Sequence, residues 1–144
     1  MKVDAILKAK GSRVATTRPD LTIETATHRL KMERVGALIV SNDDKTILGM
    51  ISERDIVQGF AAHGAALPDM RVDELMSRGV PTCARDDTVT KVMAQMTRDR
   101  VRYLPVVEGG RMVGIISIGD VVKCRLGEIE LETNVLRDVY LASR

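Results

Sequence analysis

Aromatic side chains are nearly missing from this sequence. Phe60, Tyr103 and Tyr140 are the whole set among 144 residues, and tryptophan is absent. Any core must therefore be aliphatic, with the eight methionines filling its gaps. Cysteine is equally scarce: Cys83 and Cys124 lie far apart with no CxxC spacing. That excludes a disulfide framework and, with no signal-like apolar stretch at the start, points to a reduced pair in a cytoplasmic protein. No run approaches the roughly 18 apolar residues of a membrane span. His28 and His63 have no Cys or His neighbour at metal-ligand spacing, which argues against zinc. GxGxxG is absent and no glycine-rich run leads into a lysine, so nucleotide hydrolysis lacks its usual phosphate loop. The net charge of +2 comes from interspersed signs, with no basic stripe or acidic tail, which argues against nucleic acid as the main partner.

What is present is a sentence written twice. "GMISERDIVQ" (Gly49 to Gln58) returns 65 residues later as "GIISIGDVVK" (Gly114 to Lys123), with Gly, Ile, Ser, Asp and Val kept in place. Upstream the pairing continues at a shift of 66. Thr16 to Val40 aligns with Thr82 to Val106, and Thr22/Thr88, Arg34/Arg100, Val35/Val101 and Leu38/Leu104 are among the identical pairs. A repeat of this length fixes the architecture before any single motif does.

Each copy predicts the same series of elements. A short strand starts at Thr16 or Thr82, and Thr22 and Thr88 are N-cap candidates for the helix that follows. Val89, Val92, Met93 and Met96 recur at the spacing of one buried helix face, with a thinner version in Ile23, Ala26 and Leu30. Two apolar strands come next, Ala37 to Val40 with Ile47 to Ile51, and Tyr103 to Val107 with Met112 to Ile116. "SNDDK" and "EGGR" join them as hairpins. A second helix begins near Ser52 or Ser117. The expected division is an N-terminal helix over 1–13, repeats over 14–63 and 82–126, a linker over 64–81 carrying Pro68, and a C-terminal helix over 127–144.

"RYLPVVEGGRMVGIISIGDVV" and "VGALIVSNDDKTILGMISERDIV" resemble the CBS domain, named for cystathionine β-synthase, here as a tandem pair or Bateman module. The resemblance covers nearly the whole chain. It implies an α/β (α+β) fold of two β-α-β-β-α repeats related by a pseudo-two-fold through their sheets, with flanking helices. It also implies two clefts for adenosine-containing ligands, AMP above all, with ADP, ATP or NAD(H) as alternatives and no covalent cofactor. A regulatory role without catalysis, a disk-like homodimer and a regulated partner protein are further implications.

The doubled Ser-x-x-Asp phrase has two physical readings. At a helix start, exposed N–H groups and the positive end of the dipole make a phosphate seat, to which a serine hydroxyl adds a donor. A carboxylate three residues on accepts two hydrogen bonds from a ribose diol. By the family pattern Asp55 and Asp120 hold ribose, and Ser52 and Ser117 touch phosphate. The other reading is a capping box that serves only the helix. Further candidates are Thr16 and Thr82 against a base, Arg54 on a phosphate, and Arg102 and Tyr103 at a cleft edge. Gly119 stands where Arg54 has its counterpart, so the two clefts should differ.

The terminal stretch Glu128 to Ala142 carries Leu131, Val135, Leu136, Val139 and Tyr140 as an apolar face, for its own domain or for a second copy. The leading expectation is an adenosine-nucleotide sensor. The rivals are a nucleotide-acting enzyme with Asp55 or Asp120 as base, which lacks a His, Cys or metal constellation, and a dimerisation scaffold with vestigial clefts.

Overall fold

The computed structural model describes residues 1–143. Helix α1 (Val3–Lys10) leads into strand β1 (Thr16–Thr17), helix α2 (Ile23–Glu33), strands β2 (Ala37–Val40) and β3 (Gly49–Ser52), and helix α3 (Glu53–His63). A 3₁₀ turn (Gly64–Asp69) and the short helix α4 (Val72–Leu75) connect to helix α5 (Val89–Asp99), strands β4 (Tyr103–Glu108) and β5 (Arg111–Ser117), and helix α6 (Ile118–Ala142). This is the mixed α/β architecture the repeat predicts.

The repeated local chemistry works alike in both halves. Thr22 Oγ1 accepts from Thr25 N at 3.2 Å, and Thr88 Oγ1 accepts from Lys91 N at 3.1 Å, each satisfying an orphan donor of the first turn. Ile23, Ala26 and Leu30 on α2, and Val89, Val92 and Met96 on α5, turn inward. Gly109 and Gly110, both at positive φ, make the two-residue turn between β4 and β5.

Three departures have local causes. The first sheet is β1-β2-β3, but the second holds only β4-β5, and Thr82 starts no strand. One parallel bridge, Cys83 to Val106, stands in its place. In the first repeat Ile39 N donates to Ala15 O. The matching position is Pro105, which has no N–H, so that rung of the ladder is lost. The "SNDDK" connection is also no tight hairpin. Asp43 Oδ1 accepts from Lys45 N at 2.9 Å and Thr46 N at 2.7 Å, holding an eight-residue loop, and β3 starts at Gly49 rather than Ile47. Finally, the second repeat's last helix and the C-terminal helix are one element of 25 residues, not two. Gly127 lies at the junction, Gly119 in the first turn, and about 1 kcal/mol for an interior glycine does not break a helix with no proline.

The flanking segments are not flanks. Val3, Ile6 and Leu7 of α1 are buried in the core of the second repeat with Val89, Val92, Leu104 and Ile116. Leu67 and Val72, from the 64–81 connection, are buried in the first repeat's core with Ile23, Leu30, Leu38 and Ile51. The backbone repeats the exchange: Val3 N donates to Asp87 O and Val89 N to Met1 O, while Val72 N donates to Leu21 O and Ile23 N to Met70 O. Each repeat's leading segment thus closes the other repeat. The sequence carries the signal, "MKVDAIL" at Met1 against "MRVDELM" at Met70.

Between the halves lies a third cluster of Ala37, Ile39, Met50 and Met112, with Tyr103 and Ile115 packed on it. Tyr103 reaches across to Gly36, where its hydroxyl leaves no room for a Cβ. Gly49 and Gly114 have a matching duty. A Cβ on Gly49 would come within 2.8 Å of Ser77 O, and one on Gly114 within 2.7 Å of Leu7 Cδ2, so both glycines admit the exchanged segments.

Candidate ligand-binding cleft

Strand β3 delivers Ser52 to the start of α3, where the chain turns from an extended residue into the helix. Ser52 Oγ accepts from Asp55 N at 3.2 Å, and Asp55 Oδ2 accepts from Ser52 N at 2.9 Å and from Ser52 Oγ at 3.0 Å. Ser117 and Asp120 repeat the arrangement at the start of α6, with Asp120 N to Ser117 Oγ at 3.1 Å and Ser117 N to Asp120 Oδ2 at 2.8 Å. Both phrases are capping boxes. In both, the box uses Oδ2 alone, and Oδ1 has no hydrogen-bond partner among the described residues. Capping and ligand binding are therefore compatible in one carboxylate.

The two sites part company in what surrounds them. Asp55 borders a cavity of about 580 Å³ together with Ser52, Arg54, Arg102 and Tyr103, so five of the nine residues singled out from sequence come together there. Arg100 and Ser77 join them, and Glu53 contributes one opposing acid. One wall belongs to the first repeat and the other, residues 100–103, to the second. Arg102 also seats α6, because its carbonyl accepts from Ile118 N at 2.8 Å.

Asp120 instead faces Lys10. Lys10 Nζ donates to Asp120 Oδ2 at 2.6 Å and to Ile115 O at 3.1 Å. Burial pushes the Asp120 carboxyl up, yet the Lys10 hydrogen bond and the Ser117 amide outweigh it and hold the group below the ordinary carboxylate range. Asp120 lines a separate groove of about 410 Å³ between α1 and α6, with Lys10, Cys124 and Leu131. In the Met1/Met70 alignment the residue opposite Lys10 is Gly79, which carries no side chain to plug the first cleft.

Thr16 and Thr82 lie apart from both cavities. Thr16 Oγ1 donates to Asp44 Oδ1 at 2.7 Å, and the Thr82 carbonyl accepts from Gln95 Nε2 at 2.9 Å. Sequence reasoning passed over Arg100, Ser77 and Lys10. Arg100 had a signal, as half of the identical pair Arg34/Arg100. Both members sit at a helix C-cap with φ of 54°, a conformation in which glycine is the unstrained choice. No group of three or more His, Cys, Asp or Glu among the described residues could hold a metal ion. No described helix is long and apolar enough to cross a membrane.

The CBS domain pattern matches residues 11–62 and 72–127, most of the chain and both repeats. The chain belongs to the CBS-domain family. A CBS-domain containing protein from Agrobacterium tumefaciens is 41% identical, with a TM-score of 0.84 over 87% of this chain and 99% of that one. CBS domain-containing protein CBSX3, mitochondrial, of Arabidopsis thaliana is 31% identical over 124 residues, 83% of this chain and 60% of that protein. The chain thus spans about six-tenths of that relative's length. The fold of the CBS domain pair of protein MJ0100 also matches, at a TM-score of 0.77 and 24% identity over 89% of this chain and 98% of that one; its crystals hold 5-methylthioadenosine and S-adenosyl-L-methionine. The CBS pair here has the same two-repeat fold, with flanking segments exchanged between its halves.

Proposed function

We propose that this CBS pair is a regulatory module that binds an adenosine nucleotide in the cleft beside Asp55 and catalyses nothing. The observation that carries the reading is the free Oδ1 of Asp55, placed in a cavity between the repeats with Arg54, Arg100 and Arg102 around it. A carboxylate with one unused oxygen suits a ribose diol, and three guanidinium groups with the N-terminal end of α3 suit phosphate. AMP is the first candidate, with ADP, ATP and NAD(H) following, because the arginines set no upper limit of one phosphate. The enzyme alternative lacks a His or Cys beside Asp55 among the residues lining the cavity, where the one other carboxylate is Glu53.

Regulation follows from where the walls come from. A ligand touching both Asp55 and residues 100–103 binds best when the two repeats hold one arrangement, and so shifts the population toward it. The surface shown to a regulated protein, and to a second copy in a homodimer, changes with that shift. The setting is the cytoplasm, where adenosine nucleotides report metabolic state.

Isothermal titration of the full chain with AMP, ATP, NADH and S-adenosylmethionine tests this, repeated on Asp55→Ala and Asp120→Ala. Binding of a nucleotide at one site per chain, lost in Asp55→Ala and kept in Asp120→Ala, is expected. No binding at millimolar ligand, or binding that survives Asp55→Ala, overturns the assignment.

A further inference from the structure

Helix α6 runs well past the domain body. The CBS match ends at residue 127, and the helix continues to Ala142, for a total of about 37 Å at 1.5 Å per residue. Val121 points into the second repeat's core, but the opposite side of the helix stays in solvent. On that side Val122, Leu126, Ile129, Thr133, Leu136 and Tyr140 follow one another at steps of 4, 3, 4, 3 and 4 residues. The pattern is the a/d seam of a coiled coil, with Leu126, Thr133 and Tyr140 at a and Val122, Ile129 and Leu136 at d. Leu126 is 55% exposed and Leu136 70% exposed, so no described residue buries the seam at these positions. Thr133 at its middle turns its hydroxyl back onto Ile129 O at 2.9 Å and brings no unmet donor.

The flanking charges say which partner fits. In this frame the g positions hold Arg125, Glu132 and the apolar Val139, and the e positions hold Lys123, Glu130 and Arg137. A parallel, in-register pair brings each g residue against the e residue five places on in the other helix. Arg125 then meets Glu130 of the second copy, and Glu132 meets Arg137 of the second copy, twice each by symmetry. Arg125 already holds Glu128 Oε2 through Nη1 at 2.8 Å and keeps its other donors for this contact. A fully overlapping antiparallel pair is worse, because it sets Glu132 against Glu132, Glu130 against Glu130 and Lys123 against Arg137. The other apolar residues of the helix give no rival seam: Leu131 and Val135 share their stripe with Glu128 and Asp138. We propose that α6 pairs with α6 of a second copy of this chain as a parallel two-stranded coiled coil from Val122 to Tyr140.

This inference rests on the dimer reading above and names its surface, so the two must fail differently. Sedimentation equilibrium of the full chain is run on the wild type, Glu132→Arg, Arg137→Glu and the double exchange. Mild oxidation of Thr133→Cys is run beside them, because equal a positions meet only in a parallel in-register pair. Cys124, at an f position packed on the second repeat's core and away from the seam, should not cross-link and serves as the control. The expected result is a two-chain mass, association weakened about tenfold by either single reversal and regained in the double exchange, and a disulfide-linked Thr133→Cys dimer. A monomeric wild type overturns both the pairing and the dimer. A dimer indifferent to the single reversals, or a Thr133→Cys chain that does not cross-link, overturns the coiled coil and leaves the dimer to another surface.

Discussion

Replacing Lys10 by alanine separates the two clefts and tests the account of Asp120. Lys10 Nζ and Asp120 Oδ2 are 2.6 Å apart, with the lysine side chain 33% and the aspartate side chain 24% exposed. A charge-assisted hydrogen bond of that length contributes about 1–3 kcal/mol when shielded, and partial exposure lowers this toward about 1–1.5 kcal/mol. Asp120 keeps its bond from Ser117 N in the variant, so the box itself survives. For a domain of this size the loss corresponds to a fall in Tm of about 3–5 °C near neutral pH. The pH dependence has a definite sign. The folded pKa of Asp120 lies below its unfolded value, so the unfolded chain binds the proton more readily. The stabilisation is fully present above the unfolded carboxylate value near pH 4 and is lost as pH falls through the folded one. Urea unfolding of wild type and Lys10→Ala between pH 7 and pH 2.5 should therefore show a gap that closes on acidification. A gap of the same size at both ends, or none at pH 7, refutes the argument. The same variant frees Asp120, and nucleotide titration is expected to show a second, weaker site.

Two further outcomes follow from the geometry. Arg100→Gly relieves a side chain held at φ 54° and should raise stability by about 0.5–1 kcal/mol while weakening binding of a phosphate-bearing ligand, as read by thermal melts and titration together. A loss of stability would mean that the arginine serves the fold. Val3→Ala and Val72→Ala each remove a fully buried side chain and should cost about 2 kcal/mol. The exchange of segments makes the location unusual: hydrogen exchange should accelerate in residues 89–106 for Val3→Ala and in residues 23–51 for Val72→Ala, and the reverse pattern would refute the exchange.

The sequence by itself determined the two-repeat order of elements, the Thr22 and Thr88 caps, the inward faces of α2 and α5 and the positive-φ turn at Gly109-Gly110. All of these rest on contacts between residues a few positions apart, which periodicity and cap chemistry report directly. The capping boxes at Ser52 and Ser117 belong here too, since both partners lie within one turn. Legibility ended where partners are distant. "MKVDAIL" and "MRVDELM" are visibly alike, but only packing decides that each closes the other repeat, because either core offers an apolar face of the same kind. The missing strand at Thr82 hangs on Pro105, more than 20 residues away, and the single long α6 on the absence of anything strong enough to stop it.

The difference between the clefts is the clearest case of a tertiary decision. Ser52/Asp55 and Ser117/Asp120 are near-copies in sequence and make the same local bonds. What separates them is a lysine 110 residues before Asp120 and a trio of arginines gathered from two repeats. Electrostatic energy depends on separation in space and on shielding from water, and neither quantity can be read along the chain.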